Sequence, residues 1–166
     1  MTFSLYSISI ETFIRMQTNL MAILEKAEAY ATERKFKIDN IVGSRLAPDM
    51  HPFSFQIQNA TDRAKLFAAR VTGQTPPSWP DEEKTFAELK ARLQKSIDYL
   101  KSIDRSQVDG AEDKMITMKV HGQDHTWSAL DYLNKNANPN FYFHVTTAYD
   151  ILRHNGVPIG KRDFTG

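Results

Sequence analysis

Four stretches of the chain return to apolar residues every three or four positions, the spacing of one helical face, and few architectures satisfy four such faces at once. The first runs from about Leu5 to Lys35, with Phe13, Met16, Leu20, Leu24 and Ala27 on its stripe and Arg15, Asn19, Glu25 and Glu33 on its polar side. The second starts at Phe53, carries Ile57, Ala60, Ala64, Phe67 and Val71, and stops at Gly73, a residue suited to a left-handed helix terminus. The third, through Phe86, Leu89, Leu93, Ile97 and Leu100, is the cleanest heptad-like stripe, with Glu88 and Arg92 spaced to pair on its outer side. The fourth is opened by Pro139 and closed by Gly156, with Phe141, Val145, Ala148 and Leu152 together on one side. Each stripe needs the others as its cover, so the expected fold is all-α, a helical bundle.

At 166 residues, 41% hydrophobic and 25% charged, the chain has the size of one domain, 1–166, and can bury a core. The formal net charge is +1 with both signs interspersed, which provides no broad basic field for nucleic acid. There is no cysteine, so disulfides and thiolate metal sites are excluded and the redox compartment stays open. The start, MTFSLYSISIETFIRM, lacks a basic segment followed by an unbroken apolar run and a small-residue cleavage site, so no signal peptide is expected. No window nears the ~20 apolar residues needed to cross a bilayer. These features predict a cytoplasmic protein with neither nucleic acid nor membrane as partner.

The connections carry their own signals. Phe36 to Pro52 is a long loop containing Gly43, Pro48 and Pro52, and its RLAPDMHPF segment (Arg45 to Phe53) gathers two charges, a histidine and two prolines. QTPPSWPDEEK separates the second and third helices, and its acidic run Asp81, Glu82, Glu83 suits the positive end of a starting helix. Asp104 to Asp113 reads as a loop. MITMKV (Met115 to Val120) alternates and HGQD supplies a turn, the pattern of a short hairpin before the last helix. Thr126 or Ser128 can cap a short helix through Trp127, Leu130 and Leu133, ended by NKNANPN.

Polar residues on the apolar flanks are the candidates for function. His144 falls beside the last helix's stripe, and Asn140 stands one turn earlier on the same side, so the two can present a ring nitrogen and an amide oxygen to one point. Gln56 and Arg63 flank the stripe of the second helix and are placed to look into the bundle. His51, Asp49 and Arg45 lie in the loop covering one end, where Asp49 can also cap the second helix. His121 and His125 flank a turn and read as solvated; His154 sits in the last turn of the final helix, where a protonated imidazole favours the dipole. Two readings of His144 stand: a metal ligand or general base, or a core histidine hydrogen-bonded to Asn140, Gln56 or a backbone carbonyl.

The segments RLAPDMHPF, NFYFHVTTAYDILRHNGV (Asn140 to Val157) and GKRDFTG (Gly160 to Gly166) resemble the DinB/YfiT-like superfamily of bacterial four-helix bundles, and more closely an uncharacterised branch of it, along nearly the whole chain. The resemblance implies an up-down-down-up four-helix bundle with a long connection between the first two helices. It also implies a divalent metal, typically zinc or nickel, held by three histidines, two of them four apart on the last helix and one on the second helix. Some members are thiol-dependent transferases or isomerases. Laid on this chain, the second histidine of the pair falls on His144, with Leu152, Arg153 and Gly156 taking the downstream places, and the first falls on Asn140. For the histidine of the second helix the nearest counterparts are His51 and Gln56.

Two functions compete. One is an enzyme, or a degenerate former metalloenzyme of transferase or hydrolase type, with His144 as catalytic base or metal ligand alongside His51, and with Gln56, Arg63, Asn140 and Asp49 contacting a small-molecule substrate. The other is a non-catalytic helical protein that binds a small molecule or forms a homodimer through Ile10, Ile14 and Met21 on helix one with Tyr142 and Phe143.

Overall fold

The computed structural model describes residues 4–120 and 122–166. It is mostly helical, with one small antiparallel sheet. The long helices are α1 (Thr12–Arg34), α2 (Phe53–Thr72), α3 (Phe86–Lys101) and α5 (Asn138–His154), matching the four apolar stripes. The strands β1 (Met115–Val120) and β2 (Gln123–Ser128) form the expected hairpin, with Met115 opposite Ser128 and Ile116 opposite Trp127. Two short helices complete the chain, α4 (Ala129–Tyr132) and α6 (Lys161–Thr165). The expectation for His121 falls outside the described residues.

Local chemistry accounts for the boundaries. α1 ends at Lys35 and α2 at Gly73, both in the left-handed conformation that releases the chain from a helix. At the start of α3, Thr85 and Glu88 cap each other's backbone amides, a reciprocal box that satisfies two otherwise unpaired donors. Asp39, in a 3-10 turn of the long first loop (Ile38–Ile41), accepts from the Phe86 amide at 2.8 Å. That loop is therefore ordered by its role as a cap for α3.

The structure corrects four local expectations. Glu88 is occupied by its cap, while Arg92 turns inward and is only 3% exposed. The acidic run does not open α3, because Asp81 and Glu83 are drawn to the Arg92 guanidinium, both at 3.0 Å. Nor does NKNANPN stop the helix that Ser128 caps. A π-helical turn (Leu133–Ala137) carries α4 directly into α5. Pro139 has no N–H and clashes with the carbonyl four residues back in a regular helix, and the wider π turn lets the chain stay helical past it. A second π turn (Ser7–Glu11) leads into α1 and buries Ile10 completely, so Ile10 cannot belong to a docking edge.

The core sits where α1, α2 and α5 meet. Phe13 lies 5.8 Å from Phe67 and 4.6 Å from Phe141, ring centre to ring centre. Phe67 stacks on Tyr132 and Tyr132 on Trp127, which ties the hairpin to the bundle through an unbroken aromatic series. Gly156 ends α5 against α1, where a Cβ would stand 2.7 Å from the Tyr30 hydroxyl. α6 then folds back on α1 through Lys26 with Asp163 and Asn19 with the Phe164 carbonyl.

Candidate functional site

His144 is placed by its position one residue before Val145 on the buried side of α5, and its side chain is turned toward α2. It is 8% exposed. Its Nδ1 lies 2.8 Å from Gln56 Oε1, while Gln56 Nε2 donates to the His51 backbone carbonyl at 3.0 Å. Because the glutamine amide must offer its oxygen to the imidazole, Nδ1 carries the proton and donates. Nε2 is left as a lone-pair acceptor with no hydrogen bond among the described residues. Phe55 and Phe143 stand edge-on to the imidazole, and the His51 ring stacks on Phe55 at 3.9 Å.

Two turns further along α2, the Arg63 Nη2 donates to Asn59 Oδ1 at 3.1 Å. Its Nε is buried without a partner, and no carboxylate of the described residues pairs with it. Burial holds the His144 pKa down, the Arg63 charge adds to that, and His51 adds less, bringing it to about 4. The imidazole is neutral at physiological pH and keeps its free nitrogen available.

The other residues singled out in the sequence divide. Of the three partners expected for a core histidine, Gln56 is the one observed. Asn140 does not bond to His144, because its amide donates to the Asn136 carbonyl one turn back at 2.7 Å. His51 is exposed, and its carbonyl rather than its ring enters the network. Asp49 is also exposed and makes none of these bonds; α2 begins after Pro52 with no side-chain cap. Asn59, Phe55 and Asn136 were missed. The signal was present in four-residue steps, Asn59 to Arg63 on one helix and Tyr132, Asn136, Asn140 and His144 on the other.

The donors fit a divalent metal poorly. Among the described residues no three or more of His, Asp and Glu gather as a ligand group. The histidine that acts on the His144 ring is exposed, an asparagine oxygen is a weak donor, and the Arg63 cation, whose charge also reaches the ring, opposes a second cation. What the arrangement does offer is one neutral acceptor and one guanidinium lacking an acid partner. A separate cleft of about 390 Å³ is lined by Leu46, Met50, Tyr142, Phe143 and Thr147 among others, and Phe143 is the lining residue that also meets the imidazole.

The comparisons agree with this fold. The family model described as Domain of unknown function (DUF1993) matches residues 5–165. No curated protein matches the chain. Among solved structures it is similar to a DinB family member protein from Shewanella denitrificans, with 40% sequence identity, a TM-score of 0.89, and coverage of 98% of this chain and 92% of that one. The chain therefore belongs to the family described as a domain of unknown function (DUF1993), whose fold is DinB-like.

Proposed function

We propose that the chain binds a small molecule at the junction of α2 and α5, with the free Nε2 of His144 accepting a hydrogen bond from it and the ancestral metal set lost. The observation that carries this reading is the Gln56 bond to Nδ1, which fixes the ring and its tautomer and leaves Nε2 without a hydrogen-bond partner among the described residues. An imidazole with a pKa near 4 is neutral at physiological pH, with its lone pair available to a donor, and is a weak base, so binding is favoured over transferase or hydrolase chemistry driven by His144 alone. The helices are proposed to run up-down-down-up. Support comes from Phe13 beside Phe141 and Tyr30 beside Gly156, from Phe53 beside Phe86 and Thr61 beside Arg92, and from Gln56 beside His144 with Arg70 beside Tyr132.

The test uses protein purified without a histidine tag, elemental analysis, and a thermal-shift screen of divalent metals and small polar compounds. The expected result is metal well below one ion per chain and at least one stabilising organic compound whose effect disappears in His144→Gln. Stoichiometric zinc or nickel lost in His144→Ala would overturn the metal-free reading.

A second reading, self-association, is favoured by Phe143, 55% exposed beside the 390 Å³ cleft. Light scattering at high concentration, with Phe143→Ser beside it, decides that reading. A monomer in both proteins removes it.

A further inference from the structure

The polar residues between α2 and the last helical run form a seam closed at both ends and unpaired in the middle. At one end Gln56 bonds to His144, and at the other Arg70 bonds to the Tyr132 hydroxyl. Gln56 and Arg70 stand roughly 21 Å apart along α2 at 1.5 Å per residue, and Arg63 lies midway on the same face. The two helices run in opposite directions, so the middle of the seam brings Arg63 level with the stretch holding Asn136, Asn138 and Asn140. The Arg63 head leans back toward the His144 end, as its bond to Asn59 requires.

The arginines of this protein give an internal comparison. Where a guanidinium is buried for structural reasons, as at Arg92, it is met by Asp62, Asp81 and Glu83. Arg105 is met by Glu11 and Asp109, although half exposed. Arg63 has a buried Nε with no partner and only a neutral amide at Nη2. Its Nη1 and the Nε2 of His144 make no hydrogen bond among the described residues, and neither is among the buried unpartnered atoms, so both face solvent-reachable space. Asn136 and Asn138 do not supply the missing charge, since each leaves a buried side-chain oxygen of its own unpaired. Arg70 also lacks an acid, but its guanidinium is met by the Tyr132 hydroxyl and the Met118 sulfur and leaves no buried nitrogen unpartnered, whereas the buried Nε of Arg63 has nothing, so an arriving anion gains most at Arg63.

We propose that Arg63 anchors the carboxylate of a small organic acid whose hydroxyl, amine or thiol group donates to His144 Nε2. The planar fork of the guanidinium matches a carboxylate, and one unpaired charge calls for a monoanion. Asn59 is a positioning residue that holds the fork. The inference rests on the ligand-binding reading above and adds the charge and class of the ligand.

The test titrates the full chain with glycolate, 3-hydroxypropionate and 4-hydroxybutyrate, following the Arg Nε–H signals by NMR and binding by calorimetry. Acetate, glycolamide and chloride are the controls. One hydroxy acid is expected to shift the Arg63 signal saturably and to bind at least tenfold tighter than acetate, with no binding by the amide. Arg63→Gln should weaken that acid at least tenfold. Arg63→Lys, which keeps the charge and loses the fork, serves as the second variant should the glutamine variant not fold, and should also weaken it. Equal binding of glycolamide and glycolate overturns the carboxylate assignment and leaves the His144 ligand reading standing. An unmoved Arg63 signal with every acid overturns the proposal, and if the neutral compounds also fail, the ligand reading falls with it. An equal response to chloride means an adventitious ion only and overturns the two-point recognition.

Discussion

At His144 burial and charge push in one direction. In the unfolded chain the imidazole titrates near its ordinary 6.5, and in the folded protein near 4. Between those values the unfolded chain binds more protons, so stability falls as the pH is lowered from 6.5 to 4 and this group contributes no further change below or above that window. The expected loss is roughly 3 kcal/mol if His144 acts alone. Urea midpoints measured across that range should show a steeper decline for the native protein than for His144→Gln, and parallel curves would contradict the assignment. That this ring points inward was legible from the spacing on its helix. Its partner was not, because whether Asn140 or Gln56 reaches Nδ1 depends on which helix lies across from it. Asn140 was also lost to a local competitor, the carbonyl of Asn136.

Arg92 shows the same at the level of elements, where one side chain organises the connection between α2 and α3. Its guanidinium donates to Thr61 Oγ1 at 3.0 Å, Asp62 at 2.9 Å, and the Pro80 carbonyl at 3.2 Å, besides the two acids of the loop. Trp79 closes over it, with Arg92, Lys65 and Lys95 all set near its ring face. Arg92→Ala leaves three carboxylates facing one another without their shared cation. A loss of about 3 kcal/mol is expected, at the lower end for a broken buried pair because Asp81 is half exposed and Asp62 keeps Lys65 at 2.7 Å, with a red shift of the Trp79 fluorescence as the loop detaches. Unchanged thermal stability and emission would refute the clamp. The heptad pattern of α3 marked Arg92 as an outer residue four positions from Glu88, a sound inference for an isolated helix. It failed because the loop before the helix folds over that side and brings its acids along.

Across the described residues, the apolar pattern passed over several fully buried polar side chains, and Gln17 is the largest of those with no exposure. Gln17 is 0% exposed on the buried stripe of α1, and neither its amide nitrogen nor its oxygen has a partner. A buried amide left unpaired costs about 1 to 3 kcal/mol, so Gln17→Leu should raise the melting temperature by several degrees at about 2 to 4 °C per kcal/mol. A lower melting temperature in calorimetry would show that the amide is satisfied in solution, by water or a ligand. The sequence by itself determined the four long helices, the apolar stripes they bury, the hairpin and the family, because apolar periodicity and turn chemistry are properties of neighbouring residues. It did not determine which polar groups meet. The pairing of Gln56 with His144, the isolation of Arg63 and the enclosure of Arg92 arise between residues far apart in the chain. Only the packing of the helices decided them, since hydrogen bonds and ion pairs act over a few ångströms of space whatever their separation in sequence.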